Sequence, residues 1–442
     1  MRLSLRFNTV FRSLQYRNYR LFFSGQSISL IGTWMQRIAL PWLVYHMTES
    51  VFLLGVVSFA GQIPTFLLSP IAGVLTDRFN RYKVLLITQI ASLIQAAILA
   101  ILALTGAIEV WHIVILSIIL GCINAFDVPS RHSFVIEMVE KKEDLGNAIA
   151  LNSLMFNGAR LIGPSVAGIM LATTGEGVCF LLNAISYIFV IGSLLMMHVK
   201  ERTQEKRGSH IFKEMKEGLD YTFGFRPIRS IILLLALVNL MGASYQVLMP
   251  VFAKDVLSGG SDTFGFLMSS AGLGALLSAL YLASRESVLK IGRLIPAATG
   301  LFGLGLIVLS LVQVFSVSAF IMIFIGAGLM LQTAGSNTIL QTITDDDKRG
   351  RVMSFYTMAI MGTAPFGSLL AGTLARLTGT PAAIFIGGII CLAGAVIFFR
   401  KLPELKKIAH PVYVRMGIIP EVAAAIQTAS EPGMERNTIA SD

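Results

Sequence analysis

The sequence contains little charge and little cysteine, and both shortages narrow the possible functions. Charged residues make up 14% of the 442 residues and hydrophobic residues 55%, a balance far from that of soluble globular domains. Cys122, Cys179 and Cys391 show neither metal-ligand nor disulfide-framework spacing. No Walker loop, H-E-x-x-H or G-x-S-x-G motif occurs. The sequence therefore predicts no enzyme, no built-in ATP motor, no cofactor and no metal ion.

Long apolar runs dominate the chain instead. A bilayer crossing needs about 20 apolar residues, roughly twice the length of a barrel strand, and lipid offers the backbone no hydrogen-bond partners. The sequence therefore predicts an all-α integral membrane protein with twelve transmembrane helices. The predicted spans are 20–47, 51–76, 84–106, 110–130, 146–172, 177–198, 228–253, 263–284, 290–313, 317–340, 351–375 and 381–400.

The basic residues predict the orientation. Of the 35 Lys and Arg residues, only Arg37 and Arg160 fall inside spans away from the span ends, and only Lys254 and Arg376 fall in loops on the face opposite the termini. The positive-inside rule then places both termini in the cytoplasm, with the protein in the inner (plasma) membrane. Because the bases are scattered over many short loops, the +10 net charge follows from orientation, and nucleic acid is not predicted as a partner.

The two halves of the chain repeat each other. Residues 145–175 align with 349–379 at a constant offset of 204, and all five glycines of each window coincide. Gly55 matches Gly265 at an offset of 210. An offset of six spans preserves direction, which predicts two parallel six-helix repeats of the kind that rock about a midplane site in transporters. The predicted domains are a bundle at 1–198, a cytoplasmic linker at 199–227, a bundle at 228–402 and a largely disordered cytoplasmic tail at 403–442.

A charged loop, GVLTDRFNRYKVLL, separates spans 2 and 3 and resembles the signature loop of the major facilitator superfamily. In that family the aspartate caps a helix end, and the arginines reach an acid at the end of span 4, which latches the outward-facing state. Asp127, with Arg131 as its i, i+4 partner, is a suitable acid, whereas ordinary positive-inside residues would not explain an aspartate in the loop. Asn80 replaces the usual second glycine and is expected to tolerate a positive φ. The predicted latch is Gly73, Asp77, Arg78, Arg81, Asp127 and Arg131.

Span 5 contains GARLIGPSVAG, which resembles the glycine-proline motif of the antiporter branch of that superfamily. Its small residues let another helix approach closely, and its proline removes one helix hydrogen bond. The resemblance implies that this helix packs against the C-terminal half. The predicted packing seam is Gly158, Gly163, Pro164 and Gly168, with Gly367 and Gly372 in the repeat.

From about residue 11 to residue 400 the chain resembles the subgroup that includes bacterial enterobactin exporters and similar drug exporters. The resemblance implies a monomeric secondary transporter that exports a small organic solute by proton antiport and alternating access. An uncoupled facilitator or a flippase for lipid-like solutes is the alternative. A membrane receptor or scaffold would be of another class, and the latch charges and the repeat argue against it.

Arg37 and Arg160 are predicted near the bilayer midplane, where an ionisable group is a functional candidate. Their repeat partners, Gln246 and Ala364, carry no charge, so the fold does not require them; binding of a neighbouring helix's carbonyls is the equally weighted alternative. Several other polar residues share these spans, although packing between helices could explain each one singly. The predicted substrate cavity is Gln26, Thr33, Gln36, Arg37, Asn124, Arg160, Gln246, Gln332, Asn337 and Gln341.

None of the 25 acidic residues lies deep within a predicted span. The carrier of the implied proton is therefore unassigned, with Asp127, Asp77 and His132 as candidates. Arg37 and Arg160 have no acidic residue deep within the predicted spans to pair with. This favours an anionic or polyphenolic solute, such as an iron-chelating catecholate or a lipophilic acid.

Overall fold

The protein is a bundle of long helices. The computed structural model describes residues 11–198, 219–285, 291–345 and 348–415, leaving out a few side chains, chiefly those of 73–78. These residues contain no strand, and eleven of their helices are long and apolar enough to cross a membrane. The predicted all-α integral membrane fold is confirmed.

Each half contributes six long helices, which we number along the chain. The N-terminal half contains α1 (Arg17–Thr48), α2 (Val51–Arg78), α3 (Arg81–Leu104), α4 (Val110–Glu137), α5 (Lys142–Thr174) and α6 (Glu176–Leu195). The C-terminal half contains α7 (Arg226–Val256), α8 (Ser261–Ala283), α9 (Ile291–Leu311), α10 (Phe315–Ile343), α11 (Arg349–Thr378) and α12 (Thr380–Arg415). The α1 helix is not among the eleven apolar helices because its polar residues lower its mean hydropathy, so the count of twelve spans stays a prediction.

The last helix corrects the predicted start of the tail. The α12 helix continues beyond 402 to Arg415, although Pro403 and Pro411 lie within it. Leu402, Leu405 and Ala409 recur at helical spacing and are 8%, 7% and 6% exposed, so packing of this apolar stripe holds the segment in a helix. The rest of the predicted tail, 416–442, and most of the predicted linker, 199–218, lie outside the described residues.

The same packing scheme occurs in both halves. In the N-terminal half, α1 packs on α5 and α6, α2 packs on α4, and α3 packs on α4 and α6; in the C-terminal half, α7 packs on α11 and α12, α8 on α10, and α9 on α10 and α12. Two helix pairs, α5 with α8 and α2 with α11, supply the most extensive contacts between the halves. Because these two pairs are equivalent under the repeat, the packing agrees with two parallel six-helix units.

Glycines set the closest approach of the two halves. A Cβ atom built on Gly168 would lie 3.0 Å from the Cα of Gly265, and one built on Gly55 would lie 3.2 Å from the Cα of Gly372. The sequence repeat matches Gly55 with Gly265 and Gly168 with Gly372, so the two contacts are symmetry equivalents. A larger residue at any of the four positions would separate the helices.

The other predicted seam residues have different neighbours. Pro164 belongs to the seam, since its carbonyl oxygen would lie 2.5 Å from a Cβ on Gly265. Gly163 contacts α1 and Gly367 contacts α7, each within its own half. Gly158 has no atom within 4 Å of a built Cβ; the seam prediction is therefore wrong for these three glycines, because spacing along a helix does not say which neighbour each face meets.

A short 3₁₀ helix, Arg12–Gln15, ties the start of the chain to the start of α5. The carboxylate of Asp144 is 4% exposed and pairs with the Arg12 guanidinium. It also accepts hydrogen bonds from the Tyr16 hydroxyl at 2.6 Å and from the Gln15 amide at 3.1 Å. The hydrogen bond from Tyr16 to the Asp144 carboxylate raises the pKa of the Tyr16 hydroxyl. We call this cluster the N-terminal clasp.

Asp144→Asn should destabilise the protein through the clasp. The substitution removes the negative charge and leaves the Arg12 guanidinium without its partner; because the Arg12 side chain is 45% exposed, solvent screens the pair, and we expect a cost of about 1 kcal/mol. Thermal unfolding of the purified protein in detergent measures the effect, with Glu143→Gln, an exposed neighbouring acid, as the matched control. Equal melting temperatures for the two variants would contradict the assignment.

Candidate functional site

The two ends of the bundle differ in how the halves meet. We call the end at which α1 begins and α6 ends the terminal end, and the end at which α1 leads into α2 the distal end. At the distal end the Tyr45 hydroxyl of α1 donates to the Asp255 carboxylate of α7. Lys254 Nζ lies 3.1 Å from Glu49 Oε1 and 5.3 Å from the centre of the Tyr45 ring. These four residues form the distal gate, a polar closure between α1 and α7.

Aromatic and small polar side chains continue this closure toward the middle of the bundle. Trp42 of α1 stacks on Phe264 of α8 with ring centres 6.2 Å apart. The hydroxyls of Ser165 on α5 and Ser269 on α8 are 2.6 Å apart. On the other seam, Phe66 of α2 packs edge-on against Phe366 of α11, with ring centres 6.1 Å apart. The halves are thus joined from the middle of the bundle to the distal end.

The terminal end has no comparable closure in the described residues. The α4 and α10 helices make no extensive contact with the opposite half. Side chains that lie between the halves toward this end, such as the exposed Arg37, are reachable by solvent, and we call the space beside them the cleft.

Arg37 and Arg160 both lie against the ring of one tryptophan, Trp34, in this cleft. The Cζ atom of Arg37 lies 4.9 Å from the centre of the Trp34 ring, and that of Arg160 lies 5.8 Å from it. Both distances allow a cation–π interaction. Arg37 is exposed and Arg160 half-buried, although both lie near the middle of their helices. Gly163 makes room for the tryptophan, since a Cβ there would lie 2.4 Å from the Trp34 Cβ.

The two guanidinium groups are not neutralised by an acid. In the described part of the chain neither one forms a salt bridge or a hydrogen bond to a carbonyl of a neighbouring helix. Arg37 also interacts electrostatically with Arg160 and Arg131, which are like charges. The cleft therefore presents positive charge next to an aromatic ring, an arrangement suited to an anion with an apolar or aromatic part.

Three residues of the predicted cavity lie inside the halves instead. Gln36 donates to Gln95 at 3.2 Å and accepts from Asn183 at 2.7 Å, so it joins α1, α3 and α6. Gln26 and Gln332 are 2% and 0% exposed. The prediction is wrong for these three glutamines, because a polar stripe on a helix can face a neighbouring helix as well as a cavity.

The other predicted polar residues are accessible. Gln341 is exposed, and its amide donates to Asn337 at 2.5 Å. Thr33, Asn124, Gln246 and Asn337 are half-buried. They lie on α1, α4, α7 and α10, so both halves contribute accessible polar groups, and their role as cavity residues stays a prediction.

The charges at the terminal end add a partner for the signature loop and confirm the predicted pairing of Asp127 with Arg131. Arg81 Nη1 lies 2.8 Å from Glu137 Oε1, at the last residue of α4. Asp127 lies well inside α4, because that helix runs past the predicted end at 130. Its carboxylate accepts from Thr88 at 3.0 Å and from Gln89 at 2.6 Å, and it lies 3.4 Å from Arg131. Among the described side chains of the loop, Arg81 thus pairs with Glu137, and a contact of Asp127 with the loop stays a prediction.

The remaining latch residues, Gly73, Asp77 and Arg78, lie outside the described side chains. Asn80, expected at positive φ, has a φ of −65°. Its side chain instead accepts from the Lys83 backbone N–H at 3.2 Å and caps α3, the usual role of asparagine before a helix.

The architecture of two similar helical halves agrees with comparison to known proteins. The profile of one family, described as transmembrane secretion effector, matches residues 8–434. The chain belongs to this family of the major facilitator superfamily.

Members of the superfamily with known activities cover almost the whole chain. The staphyloferrin A transporter of Staphylococcus aureus is 29% identical over 88% of this chain and 97% of its own. The multidrug efflux pump Tap of Mycolicibacterium fortuitum is 23% identical over 86% of this chain and 95% of its own. A bacterial homologue of the iron transporter ferroportin, solved in its inward-facing state, shares the fold with a TM-score of 0.66 at 18% identity, over 87% of this chain and 98% of its own. This chain is accordingly a multi-pass membrane transporter and not an enzyme.

The structure places several residues in the distal gate or beside the cleft arginines that the sequence analysis did not identify. Trp34 and Tyr45 looked like ordinary aromatic residues of an apolar span. Glu49, Lys254 and Asp255 looked like loop charges, and only their placement at the ends of α1 and α7 could have suggested a gate. In each contact of the distal gate the two residues are more than 200 positions apart in the sequence. Only the offset of the repeat, which is of similar size, could have indicated that they meet.

Proposed function

We propose that this transporter exports a small, acidic organic solute by alternating access, in exchange for protons. The observation that carries the proposal is the pair of arginines on Trp34, which has no acidic partner in the described cleft. The cleft is reachable by solvent, so both guanidinium groups are hydrated and available while no solute is bound. A solute anion would exchange this hydration for charge-assisted hydrogen bonds during each cycle.

In this proposal the structure is the inward-facing state of a monomer in the plasma membrane. Both termini lie in the cytoplasm, because the terminal end carries most of the lysines and arginines. The distal gate then closes the outer end of the cleft, and the solute enters from the cytoplasm. Opening of the distal gate, with closure near the Arg81–Glu137 pair, would release the solute outside.

We propose that Asp127 binds and releases the proton that is exchanged for the solute. It is 5% exposed and is held between α3 and α4 by neutral donors and one arginine. Protonation would release Arg131, which interacts electrostatically with Arg37 in the cleft. His132 adjoins this pair as a second candidate, and Asp77 lies outside the described side chains. The coupling would thus run from Asp127 through Arg131 to the solute-binding arginine.

An uncoupled facilitator, or a flippase for lipid-like solutes, is the second candidate function. What favours it is the same acid distribution: apart from Asp144 of the N-terminal clasp, Asp127 is the one acid that the described structure buries. A single carboxylate already paired with Arg131 could serve only to fix α3 on α4.

The test uses inside-out vesicles with an acidic lumen and a fluorescent pH indicator inside. Catecholate siderophores, lipophilic acids and lipophilic cations are added singly, and labelled solute is followed in parallel. We expect an acidic solute to enter and to raise the internal pH, and Asp127→Asn to abolish the pH change. Glu140→Gln, which removes an exposed acid near the end of α4, is the control and should behave as the wild type.

The outcomes separate the candidates. Solute entry without a pH change would replace antiport by uncoupled transport. Entry of cations but not of acids would overturn the acidic substrate. If no solute moves and ligands still change the protein's conformation, the transport proposal falls in favour of a receptor.

A further inference from the structure

The C-terminal half contains a crevice between its helices. It has a volume of about 290 Å³ and lies between α7, α11 and α12. Its lining is almost wholly apolar and includes Met241, Leu248, Ala371 and Leu374, with Tyr245 as the main polar exception. This volume is at the lower end of ligand pockets, about 300 Å³ and upward, so it suits one part of a solute.

A change in helix geometry helps to form the crevice. Residues Val238–Gly242 of α7 are a π-helical turn, and three of them line the crevice. The equivalent part of α1 is regular α-helix. Such π-turns are rare and occur mostly at functional sites, so the departure from the repeat marks this half as the specialised one.

The repeat shows what fills the corresponding space in the other half. Pro41 matches Pro250 at an offset of 209, which pairs Gln36 with Tyr245. The offset of 204, continued from α5 into α6, pairs Asn183 with Gly387. Gln36 and Asn183 are joined by a hydrogen bond of 2.7 Å, whereas Tyr245 and Gly387 both line the crevice. One half therefore has a polar contact where the other has space.

Tyr245 connects the crevice with the cleft. The residue is 3% exposed, and its hydroxyl makes no hydrogen bond of good geometry within the described residues; Gln246 is the polar neighbour. The uncharged Tyr245 hydroxyl lies within electrostatic range of the Arg160 guanidinium. A buried hydroxyl without an acceptor costs free energy in most proteins, and a solute that supplies the acceptor would remove that cost.

We infer that the crevice is the subsite for the apolar part of the transported solute, and that the solute is an amphiphilic acid. Its carboxylate or other acidic group binds at Arg37 and Arg160, an oxygen atom along the molecule accepts from the Tyr245 hydroxyl, and its hydrocarbon or aromatic part occupies the crevice. The inference rests on the proposed function, since it takes the arginines as the anion site.

The test measures binding of a series of 4-alkylbenzoates to the full-length protein in lipid nanodiscs. With the wild type, affinity should rise about fourfold for each added methylene until the crevice is full. Ala371→Leu should remove this gain while leaving the affinity for unsubstituted benzoate unchanged. Leu374→Ala should extend the gain to longer chains. Leu304→Ala, on a part of α9 that does not line the crevice, is the matched control and should follow the wild type.

The possible results distinguish failure of the crevice subsite from failure of the proposed function. Loss of the gain in Ala371→Leu, with its extension in Leu374→Ala, supports the subsite. If short benzoates bind in an Arg160-dependent way but wild type and Ala371→Leu gain equally with chain length, the subsite is wrong and the proposed function stands. If no member of the series binds, both are wrong.

Discussion

Replacing Arg37 by glutamine, or Arg160 by alanine, should abolish export of acidic solutes. Each substitution removes one of the two cations on Trp34. Removing one partner of a desolvated charge pair usually costs 2 kcal/mol or more, about a 30-fold rise in Kd. We expect at least this loss for acids and little change for neutral solutes, measured as uptake into inside-out vesicles.

The control for charge is Arg400→Gln, at an exposed position of α12 away from the cleft. It should transport as the wild type does. Arg37→Lys separates charge from stacking, because lysine keeps the charge but lacks the planar group that stacks on an indole ring. Partial recovery is the expected result. Unchanged export of acids by folded Arg37→Gln and Arg160→Ala proteins would disprove an anion site.

The structure also weighs against the alternative that these arginines hold neighbouring helices together. Such a role requires hydrogen bonds to carbonyl oxygens of another helix, and the described residues provide none for either guanidinium. From the sequence alone, solute binding and contact with a neighbouring helix were equally plausible roles. Hydropathy predicts how deep in the membrane a charged residue lies, but not which residues surround it. Only the packing of α1 against α5, through Gly163 and Trp34, brings the arginines to one ring.

The repeat made the closest contacts between the halves predictable. Glycine positions that coincide after a shift of six spans must occupy equivalent places, so Gly168 with Gly265 and Gly372 with Gly55 form one contact twice. Side-chain direction was not predictable in this way. Gln36 and Arg37 are neighbours in sequence, and a rotation of about 100° along the helix puts one into a hydrogen-bond network and the other into the cleft.

Helix ends were the other weak point of the sequence reading. The charged stretch after Asp127 looked like a loop, yet α4 continues through it to Glu137. Its charges are satisfied there by Arg131 one turn away and by Arg81 on α3, contacts that lower the cost of a charged helix end at the membrane surface. The sequence therefore did not suggest Glu137, which lies ten residues beyond Asp127, as the partner of Arg81.

A disulfide across the seam should stop transport completely. Ser165 on α5 and Ser269 on α8 have hydroxyl oxygens 2.6 Å apart, so cysteines at these positions would bring two sulfur atoms within bonding reach. The α5–α8 contact belongs to the closed distal side. If the two halves must separate there in each cycle, a covalent link holds the protein in this one state.

We expect the double variant Ser165→Cys/Ser269→Cys, with the three native cysteines replaced by alanine, to lose uptake to the level of protein-free vesicles on oxidation. Dithiothreitol should restore it. Each single cysteine variant controls for the substitution and should be insensitive to oxidation. Solute binding from the terminal end should survive in the locked protein, because the cleft stays open on that side. Full uptake by the oxidised double variant, with the disulfide verified by mass spectrometry, would show that the α5–α8 seam does not open during transport and would rule out the proposed rocking of the halves at this contact.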